Sequence, residues 1–223
     1  MTSTEAIPVP PRTRILRRRI RLIVAATITY NAIEAVVAIT AGTMASSAAL
    51  VGFGLDSIVE VLSAVAIAWQ FTARDPETRE RTALRVIAIS FFALAIYVTI
   101  DAALSLTGVR EAEHSPVGIV LTVFSLLIMP ALSLAERRTG RELGSASAIA
   151  DSKQTLICAY LSAAVLVGLL LNSLFGWTWA DPVAALVVVV FAVKEGIEAW
   201  RGDSCTVPVS VLTGEREPED DDH

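Results

Sequence analysis

The sequence predicts an all-α integral membrane protein, a six-transmembrane-helix bundle with both termini in the cytoplasm. Three observations predict it. The 223 residues are 54% hydrophobic and only 18% charged, with a mean hydropathy of +0.61; ordinary soluble domains carry charge on about a quarter of their residues. The apolar residues are gathered into blocks of roughly 20, the length that crosses a bilayer as a helix. The basic residues collect on alternate connections between those blocks, as a membrane topology requires.

Taken in order, residues 1–19 read as a disordered, basic cytoplasmic N-terminus. Their opening, "MTSTEAIPVPPRTR", is polar and Pro-rich, with neither the short apolar core nor the small-residue cleavage site of a secretory leader. The transmembrane domain, 20–201, follows as spans running approximately from Ile20 to Ala41, Ser47 to Phe71, Leu84 to Leu106, Pro116 to Ala135, Ser147 to Leu174 and Trp179 to Trp200. Each must be a helix, because an isolated strand in lipid leaves its backbone groups unpaired. Residues 202–223 read as a disordered acidic tail. Its "EREPEDDDH" holds six acids and one Arg, which accounts for the whole net charge of -5. Such a run is most simply a solvated end, with metal collection as the alternative. The body is neutral overall and suggests no nucleic-acid partner. Of the two cysteines, Cys158 lies in an apolar block and Cys205 in the tail, which is no disulfide framework.

"PRTRILRRRIR" precedes the first span, "RDPETRERTALR" joins the second to the third, and "ERRTGRE" joins the fourth to the fifth. The connections "GTMAS", "TGVREAEHS" and "FGWTW" hold a single Arg between them. The positive-inside rule then puts the basic connections and both termini in the cytoplasm, with the plasma membrane as the expected location. Trp177 and Trp179 suit the outer interface, Trp69 and Trp200 the inner one.

The second span contains "GFGLDSIVEVLSAVAIAW", Gly52 to Trp69. Asp56 and Glu60 are four residues apart and share a helix face. An acid at a membrane helix centre costs roughly 2.5–3.5 kcal/mol on insertion scales, and two like charges add repulsion. No Lys or Arg lies well inside any span; Lys153 and Lys194 are near cytoplasmic ends. Either one acid is protonated and holds helices together, or a cation occupies the pair. Ionisable residues within a membrane favour the second reading.

The fifth span opens "SAIADSKQTLICAYLSAA". Asp151, Gln154 and Cys158 follow at i, i+3 and i+7, again one face. A carboxylate, an amide oxygen and a soft sulfur can each ligate a divalent transition metal. Each also has a structural reading: a helix cap, an interhelical bond and a small buried apolar group. Counting about 1.5 Å per residue from opposite ends sets Glu60 level with Gln154 and Asp56 level with Cys158. Asn31 and Glu34, one turn apart in the first span, either line an ion's path or bond neighbouring helices. Asp101, nearer the outer end of the third span, is a candidate for an outer vestibule. Asp181-Pro182 is expected to cap the sixth helix, and His114 to be a solvated loop residue.

These segments resemble the cation diffusion facilitators. "SSAALVGFGLDSIVEVLSA" is similar to that family's second helix, where an Asp or His, three residues and an Asp follow a "gS.all" entry. "SAIADSKQTLICAYLSAAVLVGLLLN" resembles the fifth helix, and "WADPVAALVVVVFAVKEGIEAW" the sixth. The resemblance implies export of Zn²⁺, or of Cd²⁺, Co²⁺, Mn²⁺ or Fe²⁺, in exchange for protons, through a tetrahedral site between helices two and five. It implies no cofactor and no enzymatic activity. A homodimer is expected from the family. Aligning the family's "AD" on Ala150-Asp151 gives Gln154 and Cys158 as the helix-five ligands, whereas matching "DSIVE" to "DSKQT" gives Asp151 and Thr155. Either way helix five lacks one strong ligand of the family pattern, and Glu60 stands where an Asp is usual. The likeness is to a short form, without the C-terminal cytoplasmic domain of most members. The rival readings are a non-transporting sensor or assembly module of the same fold, and a carrier for an organic cation, which would need more aromatic faces.

Overall fold

The structure, a computed structural model, describes residues 11–70, 77–109, 111–143 and 146–202, apart from some side chains within the helices. The lead-in before Pro11 and the acidic tail after Gly202 lie outside the described residues. Six helices follow one another: α1 Pro11–Met44, α2 Ala48–Gln70, α3 Glu77–Leu106, α4 Pro116–Leu143, α5 Ala146–Phe175 and α6 Ala180–Arg201. Five are long and apolar enough to span a membrane. The sixth is more charged, with Asp181, Lys194, Glu195, Glu198 and Arg201 along its length, yet it packs against α2, α3 and α5 as a full member of the bundle.

The helices outrun their apolar blocks on the basic side. The first begins at Pro11 rather than Ile20, the third at Glu77 rather than Leu84, and the fourth continues to Leu143 rather than Ala135. The expectation of disorder up to residue 19 is therefore corrected for residues 11–19. Hydropathy reports where lipid ends, not where backbone hydrogen bonding ends. Arg, Leu and Glu are good helix formers, and Pro is well placed in a helix's first turn.

The helices form a ring in the order α1, α2, α3, α6, α5, α4, with α2 also touching α5 and α6 across it. Helix α2 is the central member: 67% of its most apolar stretch is buried in the protein, against 28% for α1 and for α4. The apolar core gathers Leu50 and Phe53 of α2, Val98 of α3, Leu161 and Val165 of α5, and Val188 of α6. Small residues permit this closeness, as membrane helices require. A Cβ on Gly42 would lie 2.7 Å from the Val51 backbone nitrogen, and one on Gly54 would lie 2.8 Å from Ile39 Cγ1. Gly42→Ala should thus push α1 from α2 and cost about 1–3 kcal/mol. A lowered thermal midpoint in detergent checks this; an unchanged midpoint would show that the seam has slack.

The outer connections are tied together. The Glu113 N–H donates to Ala45 O at 2.8 Å, Asn172 Nδ2 donates to Ala112 O at 2.9 Å, and the Ser47 hydroxyl donates to Asp181. Trp177 and Trp179 stack beside them, ring centroids 5.4 Å apart, and both are exposed, as interfacial anchors are. At the opposite end Arg79 lies 4.7 Å over the Trp69 ring and Arg85 lies 5.9 Å from that of Trp200. Aromatic rings and arginines thus share the basic end.

Asp181 does not do what its position suggested. It falls inside the first turn of α6, whose N-cap residue, Trp179, makes no side-chain cap bond. Its carboxylate instead accepts from the Ser47 hydroxyl and from the Ala49 N–H at 3.3 Å, and the Ser47 oxygen accepts from the Leu50 N–H at 3.1 Å. Asp181 therefore caps α2. An acid suits that place because the start of a helix presents unpaired N–H groups and positive dipole charge.

Candidate functional site

The polar residues of the spans converge on the middle of α2. From α1, Asn31 Nδ2 donates to Glu60 Oε2 at 2.6 Å. From α5, the Cys158 thiol donates to the other oxygen, Glu60 Oε1. Glu60 is thus held between two helices. One turn outward, Asp56 is buried, 7% exposed, and among the described residues no hydrogen bond reaches its carboxylate. Its like-charged neighbours are Glu195 and, less strongly, Glu34.

Glu34, 2% exposed, anchors a second set. Its carboxylate accepts from Ser57 of α2 at 3.0 Å and from Ser125 of α4. Tyr30 and Ser125 share a further bond of 2.7 Å between their hydroxyls. The result is a hydroxyl-lined carboxylate linking α1, α2 and α4, adjoining the Asp56–Glu60 face. A buried acid needs such donors, since burying a charge without partners costs far more than burying an unpaired hydroxyl.

The predicted residues divide accordingly. Asp56, Glu60, Cys158, Asn31 and Glu34 come together. Asp101 is half-buried towards the outer end of α3, apart from this cluster. Asp151 and Gln154 belong to α5, but their side chains lie outside the described residues. Thr155, the ligand of the alternative register, instead donates to Glu136 of α4 at 3.5 Å. The Cys158 thiol, which counting sets level with Asp56, donates to Glu60 one turn further in.

Sequence reading missed the supporting hydroxyls of Tyr30, Ser57 and Ser125, which look like ordinary span residues. It also missed Glu136 and Glu195. Glu136 seemed part of a basic loop, but α4 continues as helix and leaves it 1% exposed. Glu195 directly follows Lys194 in the sequence, but that amine pairs with Glu198 at 3.5 Å. The i+7 spacing from Val188 to Glu195 was the available signal.

Among the described residues no group of three or more His, Cys, Asp or Glu side chains is placed to hold a metal ion. The arrangement is a set of oxygen and sulfur donors around one central helix, suited to a borderline cation. A bundle of apolar helices with acids buried at its centre defines a polytopic membrane protein.

Comparison with known proteins narrows that class. Residues 24–201 match the cation efflux transmembrane domain, and the chain belongs to the cation efflux family. The cation-efflux pump FieF of Shewanella oneidensis is 24% identical over 184 residues, covering 80% of this chain and 62% of that protein. An uncharacterized transporter of Synechocystis sp. is 26% identical over 152 residues, covering 64% of this chain and 49% of that protein. The chain therefore spans 49% to 62% of the length of these curated relatives. The family is one of cation transporters rather than enzymes, and the protein is a multi-pass integral protein of the plasma membrane.

Proposed function

We propose that this protein is a secondary transporter that exports a divalent metal cation, Zn²⁺ or a close relative, by proton antiport. The observation that carries the reading is the Glu60 carboxylate shared between α2 and α5 through the Cys158 thiol, with buried Asp56 one turn away. Two acids in this setting are stabilised by a cation between them.

In the inward-facing state Asp56 and Glu60 take up the metal with Gln154 and Cys158. The thiol gives up its proton on binding, as metal-bound cysteine does. The bundle then rearranges around this fixed site, as alternating access requires. Outside, protons compete for the same carboxylates and release the ion. Protons carried inward on the empty site complete the exchange. A homodimer belongs to the same proposal.

The test is uptake of Zn²⁺, Cd²⁺, Co²⁺, Mn²⁺ and Fe²⁺ into proteoliposomes holding a metal dye, with and without a pH gradient. Gradient-dependent uptake is expected, and Glu60→Gln should slow it about tenfold or more, the scale of losing one metal-site interaction. Equal rates in Glu60→Gln and wild type would sink the proposed site. No uptake by correctly inserted protein would favour a non-transporting module.

A further inference from the structure

We propose that Glu195 of α6 is a third carboxylate ligand for the cation held by Asp56 and Glu60, supplying from the sixth helix the acid that helix five lacks. The inference rests on the cation site proposed above and extends it to a helix outside the α2–α5 pair.

The geometry begins with register. Helices α2 and α6 both run inward, and their outer ends are pinned by the Ser47–Asp181 bond. One step further in, a Cβ on Gly52 would lie 3.8 Å from Val188 Cγ1, so the Val188 face of α6 meets α2. Two helical turns inward from Val188, on the same face, is Glu195. Two turns inward from Gly52 are Val59 and Glu60. At about 1.5 Å per residue, Glu195 arrives at the depth of Glu60, with Asp56 one turn above. On an adjoining face Gly196 lets α6 lie close to α3: a Cβ there would be 3.0 Å from the Phe92 ring.

The chemistry agrees with the register. Glu195 Oε1 is a buried acceptor with no hydrogen-bond partner among the described residues. Its neighbour Lys194 is engaged by Glu198, and Glu195 heads the charges acting on Asp56. From α1, beside Glu60, Asn31 Oδ1 is a second buried acceptor without a donor among the described residues, on a residue that is 5% exposed. Buried polar atoms normally find partners. Acceptors that lack donors and converge on two further carboxylates are satisfied together by a cation. A third carboxylate also offsets the weaker donors of helix five.

The experiment is calorimetric titration of the full chain in detergent with Zn²⁺ and with Cd²⁺. Wild type, Asp56→Ala, Glu195→Gln and the surface control Glu198→Gln are compared, each checked for a cooperative thermal transition. Glu195→Gln is expected to weaken binding about tenfold or more, since ligand charge sets affinity, while Glu198→Gln matches wild type. Wild-type affinity in Glu195→Gln, with binding lost in Asp56→Ala, would overturn the role of Glu195 and leave the α2 site standing. No binding by wild type would overturn both. Should Glu195→Gln not fold, Glu195→Asp replaces it. A changed visible absorption of bound Co²⁺ would support ligation, and a spectrum identical to wild type would overturn it.

Discussion

Asp56→Ala is expected to abolish metal uptake while the bundle remains folded and inserted. The carboxylate is 7% exposed and, among the described residues, takes no hydrogen bond. Removing it therefore breaks no structural bond. What is removed is a buried charge beside other acids, an arrangement that costs stability unless a counter-ion is present. Metal-free Asp56→Ala should melt no lower than metal-free wild type. Its transport should fall about 100-fold or more, because a carboxylate ligand in a dry site contributes several kcal/mol (~3 is already 100-fold). The pair of readouts separates ligand from scaffold. A lowered melting point with uptake retained would show that Asp56 holds helices together.

Asp181→Ala should do the reverse, damaging the fold before the chemistry. Asp181 is fully buried and accepts from the Ser47 hydroxyl and the Ala49 N–H. Alanine leaves both donors buried, at about 1–3 kcal/mol for an unsatisfied group, and removes a cap of about 0.5–2 kcal/mol from α2. A combined loss of about 2–4 kcal/mol is expected, since the two terms share the same bonds. Because α2 carries Asp56 and Glu60, its outer end also positions the site. Asp181→Asn keeps an acceptor oxygen and should lose less. Thermal unfolding in detergent measures the difference. Equal midpoints for alanine and wild type would mean that α2 keeps its start without this bond.

The two aspartates illustrate how far one-dimensional pattern carries. Both are acids in apolar surroundings, and sequence spacing cannot distinguish an acid that caps from one that waits for an ion. Asp181 next to Pro182 suggested a cap for its own helix, because capping rules are local. The structure assigns it to α2, since the two outer helix ends meet and the unpaired N–H groups there are the nearest donors. Glu195 and Glu136 were hidden for related reasons. One followed a lysine and the other preceded two arginines, and charge patterning along the chain treats such neighbours as partners.

The helical class, the six elements, the orientation and the pairing of Asp56 with Glu60 on one face were all legible in the residue order. Each depends on a one-dimensional quantity: a run long enough for the bilayer, basic residues on alternate connections, a four-residue spacing. Packing decided the rest. It made α2 the central helix, turned Cys158 to Glu60 and Thr155 to Glu136, and surrounded Glu34 with hydroxyls from α2 and α4. It also brought α6 alongside the acids of α2. Those facts depend on which helix neighbours which and at what relative height. Lipid-facing and helix-facing apolar residues look alike along the chain, so that information enters only when close approach at Gly42, Gly52 and Gly54 selects the neighbours.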